Sequence, residues 1–298
     1  MPSRPLTVIR AITATTAVLM LSAACGSTSK KEGTQPDIGD YPAVTAEDQI
    51  KLPFDAYELT GEQDQQLLQA NHMLVVTCGA KYGVQVTMPV GQNPTVGELN
   101  GRRYGIVDRE YAKGHGYRPR PSAAEADDRS AWNPSAAELI VISGPSMAEP
   151  GQAIPHDQDG NPVPKGGCAG SAWKELGGDP PSTAQEAGAD TYDRAQNDSR
   201  VQEAWDAWAS CMNDKGYDYK SPWDPNNANW PEKVGEKEIT TALDDIDCRE
   251  ETNLVGIWMA VESAYQEQEI QDNPEADAAL RKWHDDQVRR VSDILNRQ

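Results

Sequence analysis

The clearest signal along the chain is a set of apolar positions at helical spacing. Thr60 and Gln63 form a capping box; Leu67, Asn71, Leu74, Cys78 and Tyr82 then share one helical face, and Gly83 is the stop. A second long helix is predicted from about Ala187 to Lys215, with Val201, Ala204, Trp205, Trp208 and Met212 on its buried face and Gly216 as its cap. A third starts near Glu238. It places Ile239, Leu243, Ile246, Leu254, Ile257, Val261, Ala264 and Tyr265 on one face until Asn273-Pro274 breaks it. A fourth, from Pro274 to about Asn296, buries Leu280, Trp283, Val291 and Ile294. Shorter helices are expected from Asp108 to Lys113, before Gly114, and from Cys168 to the Gly177-Gly178 pair. Ala137 to Ser143 fits a strand or a buried helical turn equally well, and Asp157 to Asn161 reads as a turn. The expected fold is therefore mainly α: four longer helices with a loop-rich middle between residues 85 and 185.

Two stretches echo one another. Cys78-Gly-Ala-Lys-Tyr-Gly83 and Cys211-Met-Asn-Asp-Lys-Gly216 share a Cys-x4-Gly spacing at the end of an amphipathic helix, and each is followed by a second cysteine. This suggests two related halves, residues 48–185 and 186–298. Cys78, Cys168, Cys211 and Cys248 are an even set, read as two disulfides in an exported chain, with three connectivities open. The echo favours Cys78–Cys168 and Cys211–Cys248, loops worth about 4–5 and about 4 kcal/mol in the chain-entropy model. Cys248 also lies about 140° round the third helix from Leu243, off the expected apolar face. A covalent partner on a flanking helix would explain that position, and Cys211 is the nearest candidate.

The N-terminus carries an address. Arg4 and Arg10 precede the uncharged apolar run Ala11 to Leu21, and Ser22-Ala23-Ala24 supplies small residues for cleavage. Leu21-Ser-Ala-Ala-Cys25-Gly resembles the lipobox of bacterial lipoproteins, with its leucine one place further from the cysteine than usual. Residues 1–24 are expected to be a signal peptide and Cys25 the lipid anchor. Residues 25–47, polar and Gly/Ser/Pro-containing, are expected to be a flexible tether. The expected location is extracellular, on the outer face of the cell membrane.

Composition excludes more than it identifies. A net charge of −20 over 298 residues repels nucleic acid, so no nucleic-acid partner is expected. Within that acidic chain, residues 101–120 hold six basic side chains against Asp108 and Glu110. Arg102, Arg103, Arg118 and Arg120 are thus candidates for gripping an anion, or for pairing with the protein's own acids. The acidic stretch Asp244, Asp245, Asp247, Glu250, Glu251 reads as a solvated helix face. Asp157, Asp159 and Asn161 lack the remaining ligands of a calcium loop, and the four histidines show no metal-binding spacing. No metal, cofactor or catalytic residue is expected.

Arg102-Arg-Tyr-Gly105, Pro164-x-Gly-Gly-Cys168-Ala-Gly, Cys211-Met-x-x-Lys-Gly-Tyr217 and Asp247-Cys248-x4-Asn253-Leu254 resemble a family of uncharacterised actinobacterial cell-envelope lipoproteins. The resemblance runs over roughly residues 60–270. It implies disulfides and a lipid anchor, and assigns no activity, fold or catalytic residue. The expected role is a non-enzymatic envelope protein. Its partners would be the membrane, through the lipid, and an envelope protein or polymer. The alternative is an envelope hydrolase built on a carboxylate pair not identifiable among 47 acids.

Overall fold

The computed structural model describes residues 35–91, 100–121, 132–181 and 183–297. Residues 1–24, expected to be a signal peptide, and Cys25 lie outside them. From Pro36 onward the chain forms one compact unit. It is mainly helical, with nine α-helices, 58% helical content and no strand among the described residues. No described helix is long and apolar enough to cross a membrane.

In chain order the helices are α1 (Gly61–Lys81), α2 (Arg109–His115), α3 (Ala136–Ser143), α4 (Gly167–Glu175), α5 (Thr183–Gln196), α6 (Ser199–Asp214), α7 (Glu236–Glu251), α8 (Leu254–Asp272) and α9 (Pro274–Leu295). The capping box is formed as expected. The Thr60 hydroxyl accepts from the Gln63 N–H at 3.2 Å, and the Gln63 amide oxygen accepts from the Thr60 N–H at 2.9 Å. Residues 136–143 resolve as helix, capped by the Ser135 hydroxyl. Asp157 to Asn161 is a turn closed by an antiparallel bridge between His156 and Pro162.

Two of the four long helices are each two helices. The second breaks at Asn197-Asp198, because the Asp198 carboxylate caps a fresh start by accepting from the Arg200 N–H at 3.0 Å. The third breaks at Asn253, whose φ of +48° is left-handed. The single face drawn from Ile239 to Tyr265 therefore does not exist. The buried positions of α7 include Glu238, Thr241, Asp245, Ile246, Cys248 and Arg249. Cys248 is on the core side, not off it, and Asp245 is buried where a solvated face was expected.

The disulfide pairing follows the echo. Cys78 and Cys168 join the last turn of α1 to the first turn of α4, with Cα atoms 5.7 Å apart. Cys211 and Cys248 join the last turns of α6 and α7, at 5.6 Å. The division at residue 185 does not describe the packing, however. C-terminal α9 lays Val291 and Ile294 against Leu67 and Ala70 of α1. Tyr104 and Val107 join the core of α5–α8, and Ile106, Ala112 and Tyr117 pack on Ala242 and Ile246 of α7. The expected tether also ends early. Val44 is buried in the main core and Ile38 packs against it, so residues 36–47 belong to the fold. This segment runs so close to α8 that a side chain at Gly256 would overlap the Pro42 carbonyl.

Candidate functional site: a cleft between helices α5, α8 and α9

A cleft of about 760 Å³ opens where the chain entering the fold meets the ends of three helices. Leu52, Phe54 and Tyr57 come from the short turn of helix at Pro53–Tyr57 and its cap. Ala187 and Gly188 come from α5, Ile270 from α8, Ala276 and Leu280 from α9. The volume suits a drug-sized molecule, and the mostly apolar wall with a few polar groups is the usual make-up of a ligand site.

The floor is rigid because its polar atoms are satisfied. Glu262 is fully buried and accepts from Arg103 Nε at 3.0 Å to each oxygen, from the Tyr104 hydroxyl at 2.8 Å and from Gln266 Nε2 at 2.9 Å. Gln266, itself buried, accepts from the Phe54 N–H at 3.0 Å and so ties the entering chain to α8. Burial works against the charge on Arg103, and the Glu262 carboxylate more than offsets it, holding the guanidinium above its ordinary pKa.

Four carboxylates line the cleft: Asp55, Glu58, Glu269 and Asp277. Asp55 caps its own turn, accepting from the Leu52 N–H at 2.9 Å, and accepts from Asn100 Nδ2 at 2.8 Å. Glu269 accepts from Asn273 Nδ2 at 2.7 Å. Asp277 accepts from the Tyr57 hydroxyl at 2.5 Å and from Arg281 Nε at 2.9 Å, and these bonds lower its pKa. Burial and the same Asp277 bond push the Tyr57 hydroxyl up to about 12. Glu58 stands at the exposed rim. Crowding by its neighbours and the nearby Asp55 charge raise its pKa, against the influence of His284.

The basic segment lies apart, apart from Arg103. Arg102 donates to the Tyr117 and Arg118 carbonyls at 3.1 and 2.7 Å, and burial lowers its pKa. Arg118 reaches Glu238 at 3.4 Å and the Pro231 carbonyl. Arg120 pairs with Asp108 and lies 3.4 Å from Glu47. Arg109 bridges Asp247 and Glu250 at 2.7 and 2.9 Å. Arg109 and Arg118 thus tie this segment to the acidic helix α7, while Arg102 and Arg120 bind it to itself and to Glu47. Asp157 accepts from Asp159 and Asn161 within its own turn, and no group of metal-ligating side chains is present among the described residues.

Sequence reading passed over the cleft acids because they are separated by more than 200 residues and carry no motif. The available hints were the Asn273-Pro274 break and Phe54, the only phenylalanine of the chain. Comparison with family models, with curated proteins and with solved structures found no match to this chain.

Proposed function

We propose that this chain is a lipoprotein on the outer face of the cell membrane that binds a ligand in the α5–α8–α9 cleft and performs no catalysis. The observation that carries the reading is the cleft itself: an apolar chamber of about 760 Å³ set on a floor of mutually hydrogen-bonded, buried side chains. The anchor rests on the lipobox-like Leu21 to Gly26 and on the polar residues that follow. Two disulfides are in keeping with an exported chain.

The hydrolase alternative draws support from the acids gathered in the cleft, with Glu58 held above its usual value beside Asp55. Against it, Asp55 is tied to the Leu52 N–H and Asn100, and Asp277 is paired with Arg281. Both carboxylates thus already serve partners within the fold.

Crosslinking with mass spectrometry on intact cells tests the binding reading. Wild type should capture a defined species that Ala276→Trp, which fills the cleft, loses. Capture that is indifferent to Ala276→Trp would move the site elsewhere. Release of soluble fragments from purified envelope polymer, lost in Glu58→Gln, would replace binding with hydrolysis. For the anchor, Cys25→Ser should release the protein or leave it uncleaved; processing and membrane retention like wild type would refute lipidation.

A further inference from the structure

The charge inside the cleft narrows what it can hold, given the binding reading above. Among the described residues that line it, the one arginine or lysine is Arg103, which is engaged by Glu262 through both carboxylate oxygens and lies over the Tyr192 ring, 5.1 Å from its centroid. Arg103 therefore has little left to offer an anion. The acids are in the opposite condition. Of the four, only Asp277 has a cation within ion-pair distance among the described residues, its neighbour Arg281. Asp55 and Glu269 take their hydrogen bonds from neutral donors, namely a backbone N–H and two asparagine side chains. These bonds bring no counter-charge to either carboxylate, and each oxygen retains a lone pair to offer. Beside them stand the rings of Phe54 and Tyr57, tilted at 50° with centroids 5.8 Å apart, and the aliphatic surfaces of Leu52, Ile270 and Leu280.

We infer that the cleft selects a small organic cation: an ammonium or amidinium head joined to an apolar body. The head would sit among Asp55, Glu58 and Glu269, where an ion pair is partly shielded from water. The body would lie against the rings and aliphatic wall, and the aromatic faces would favour the positive end over a neutral one. An anion of the same shape would meet Asp55, Glu58 and Glu269, with Arg103 already engaged by Glu262 and Arg281 by Asp277. A neutral molecule would gain the apolar contacts alone.

The test uses the full-length mature protein in detergent, at physiological salt so that the overall acidic field is screened. Isothermal titration compares three probes with one body: 4-phenylbutylamine, 4-phenylbutanol and 4-phenylbutyrate. The amine should bind most tightly, the alcohol about five- to ten-fold more weakly, and the carboxylate least, in line with one or two partly exposed ion pairs. Glu58→Gln with Glu269→Gln should weaken the amine and bring it close to the alcohol. Ala276→Trp should abolish both. Equal binding of amine and alcohol, both lost in Ala276→Trp, would overturn the cation preference while leaving the cleft as a binding site. So would an amine affinity untouched by the double substitution. Binding of none of the three would count against the inference and the cleft reading together.

Discussion

The two disulfide-bearing regions of this molecule solve the same packing problem differently. Around Cys211–Cys248, the helices α5–α8 enclose large rings. Trp258 is fully buried, with the rings of Trp205, Tyr104, Tyr192 and Trp223 at 5.2, 5.3, 5.7 and 5.8 Å. Such rings leave gaps that polar groups fill, and each buried charge there has partners. Asp245 accepts from Trp208 Nε1 at 2.8 Å, from the Tyr117 hydroxyl at 3.1 Å and from Arg249 Nε at 2.7 Å. Around Cys78–Cys168 the buried side chains are aliphatic, among them Val75, Val86, Val141, Ile142 and Ala172, with the rings of Tyr82 and Trp132 only partly buried at the edge. Here the backbones themselves come close. A side chain at Gly144 would overlap the Lys165 carbonyl, and one at Gly167 the Ile142 carbonyl. Both glycines have positive φ, at +102° and +65°. The first region depends on the paired network around Asp245, the second on absent side chains.

The largest effects should come from the disulfides, which test the two regions against each other. Replacing Cys78 and Cys168 together by Ala opens a loop spanning a separation of 90 residues, and should cost about 4–5 kcal/mol. Replacing Cys211 and Cys248 opens one of 37 and should cost about 4 kcal/mol. Urea denaturation of both variants gives the order; a clearly larger loss for the shorter loop would break the chain-entropy account.

Next in size is the buried pair of the aromatic region. Arg249→Met leaves the buried Asp245 without its paired cation, and removes the donors to the Tyr104 and Pro222 carbonyls. The expected cost is about 3 kcal/mol or more, seen in the same denaturation assay. Adding Asp245→Asn should recover part of it, because the stranded charge is gone. No recovery would mean that the carbonyl bonds, not the ion pair, are what Arg249 supplies.

In the second region, Gly144→Ala should cost about 1–3 kcal/mol from positive φ and the overlap with Lys165, measured by thermal unfolding. An unchanged midpoint would show that the α3–α4 junction can yield.

The smallest effect separates the regions by pH. Burial alone would raise the Asp198 pKa, but the Arg200 side chain and N–H, with the Tyr265 hydroxyl, hold it below the usual value. A depressed carboxyl stabilises the fold above its unfolded pKa, about 3.9, and that contribution is lost as the pH falls through the lower folded value. Wild type should therefore be more stable than Asp198→Asn at pH 7, and the gap should close below about pH 4. A gap that stays constant down to pH 2 would mean that Asp198 does not titrate in the fold as described.

Legibility followed the range of the interaction. The capping box at Thr60, the stop after α1 and the buried stripe of α6 at Val201, Ala204, Trp208 and Met212 stand in the structure as the sequence implies. The break at Asn253 escaped notice because apolar residues continue on both sides of it. Only the left-handed residue divides them, beside a tight approach of Pro42 to Gly256. Asp245 reads as a solvent-facing charge because it stands in a run of acids on one helix. Trp208 and Tyr117, brought from elsewhere, are what make that face an interior one.

Sequence alone therefore determined the helical class, most helix ends and the preference for Cys78–Cys168 and Cys211–Cys248. Each depends on spacing within a few turns or on a short repeated pattern, and such patterns reflect local hydrogen bonding and one-sided burial. Tertiary structure alone decided that α9 returns to α1, that Arg103 closes on Glu262, and that Asp55, Glu58, Glu269 and Asp277 line one cleft. Those meetings join residues more than 150 positions apart. Which distant surfaces come together is settled by how whole helices pack, and no local pattern encodes that.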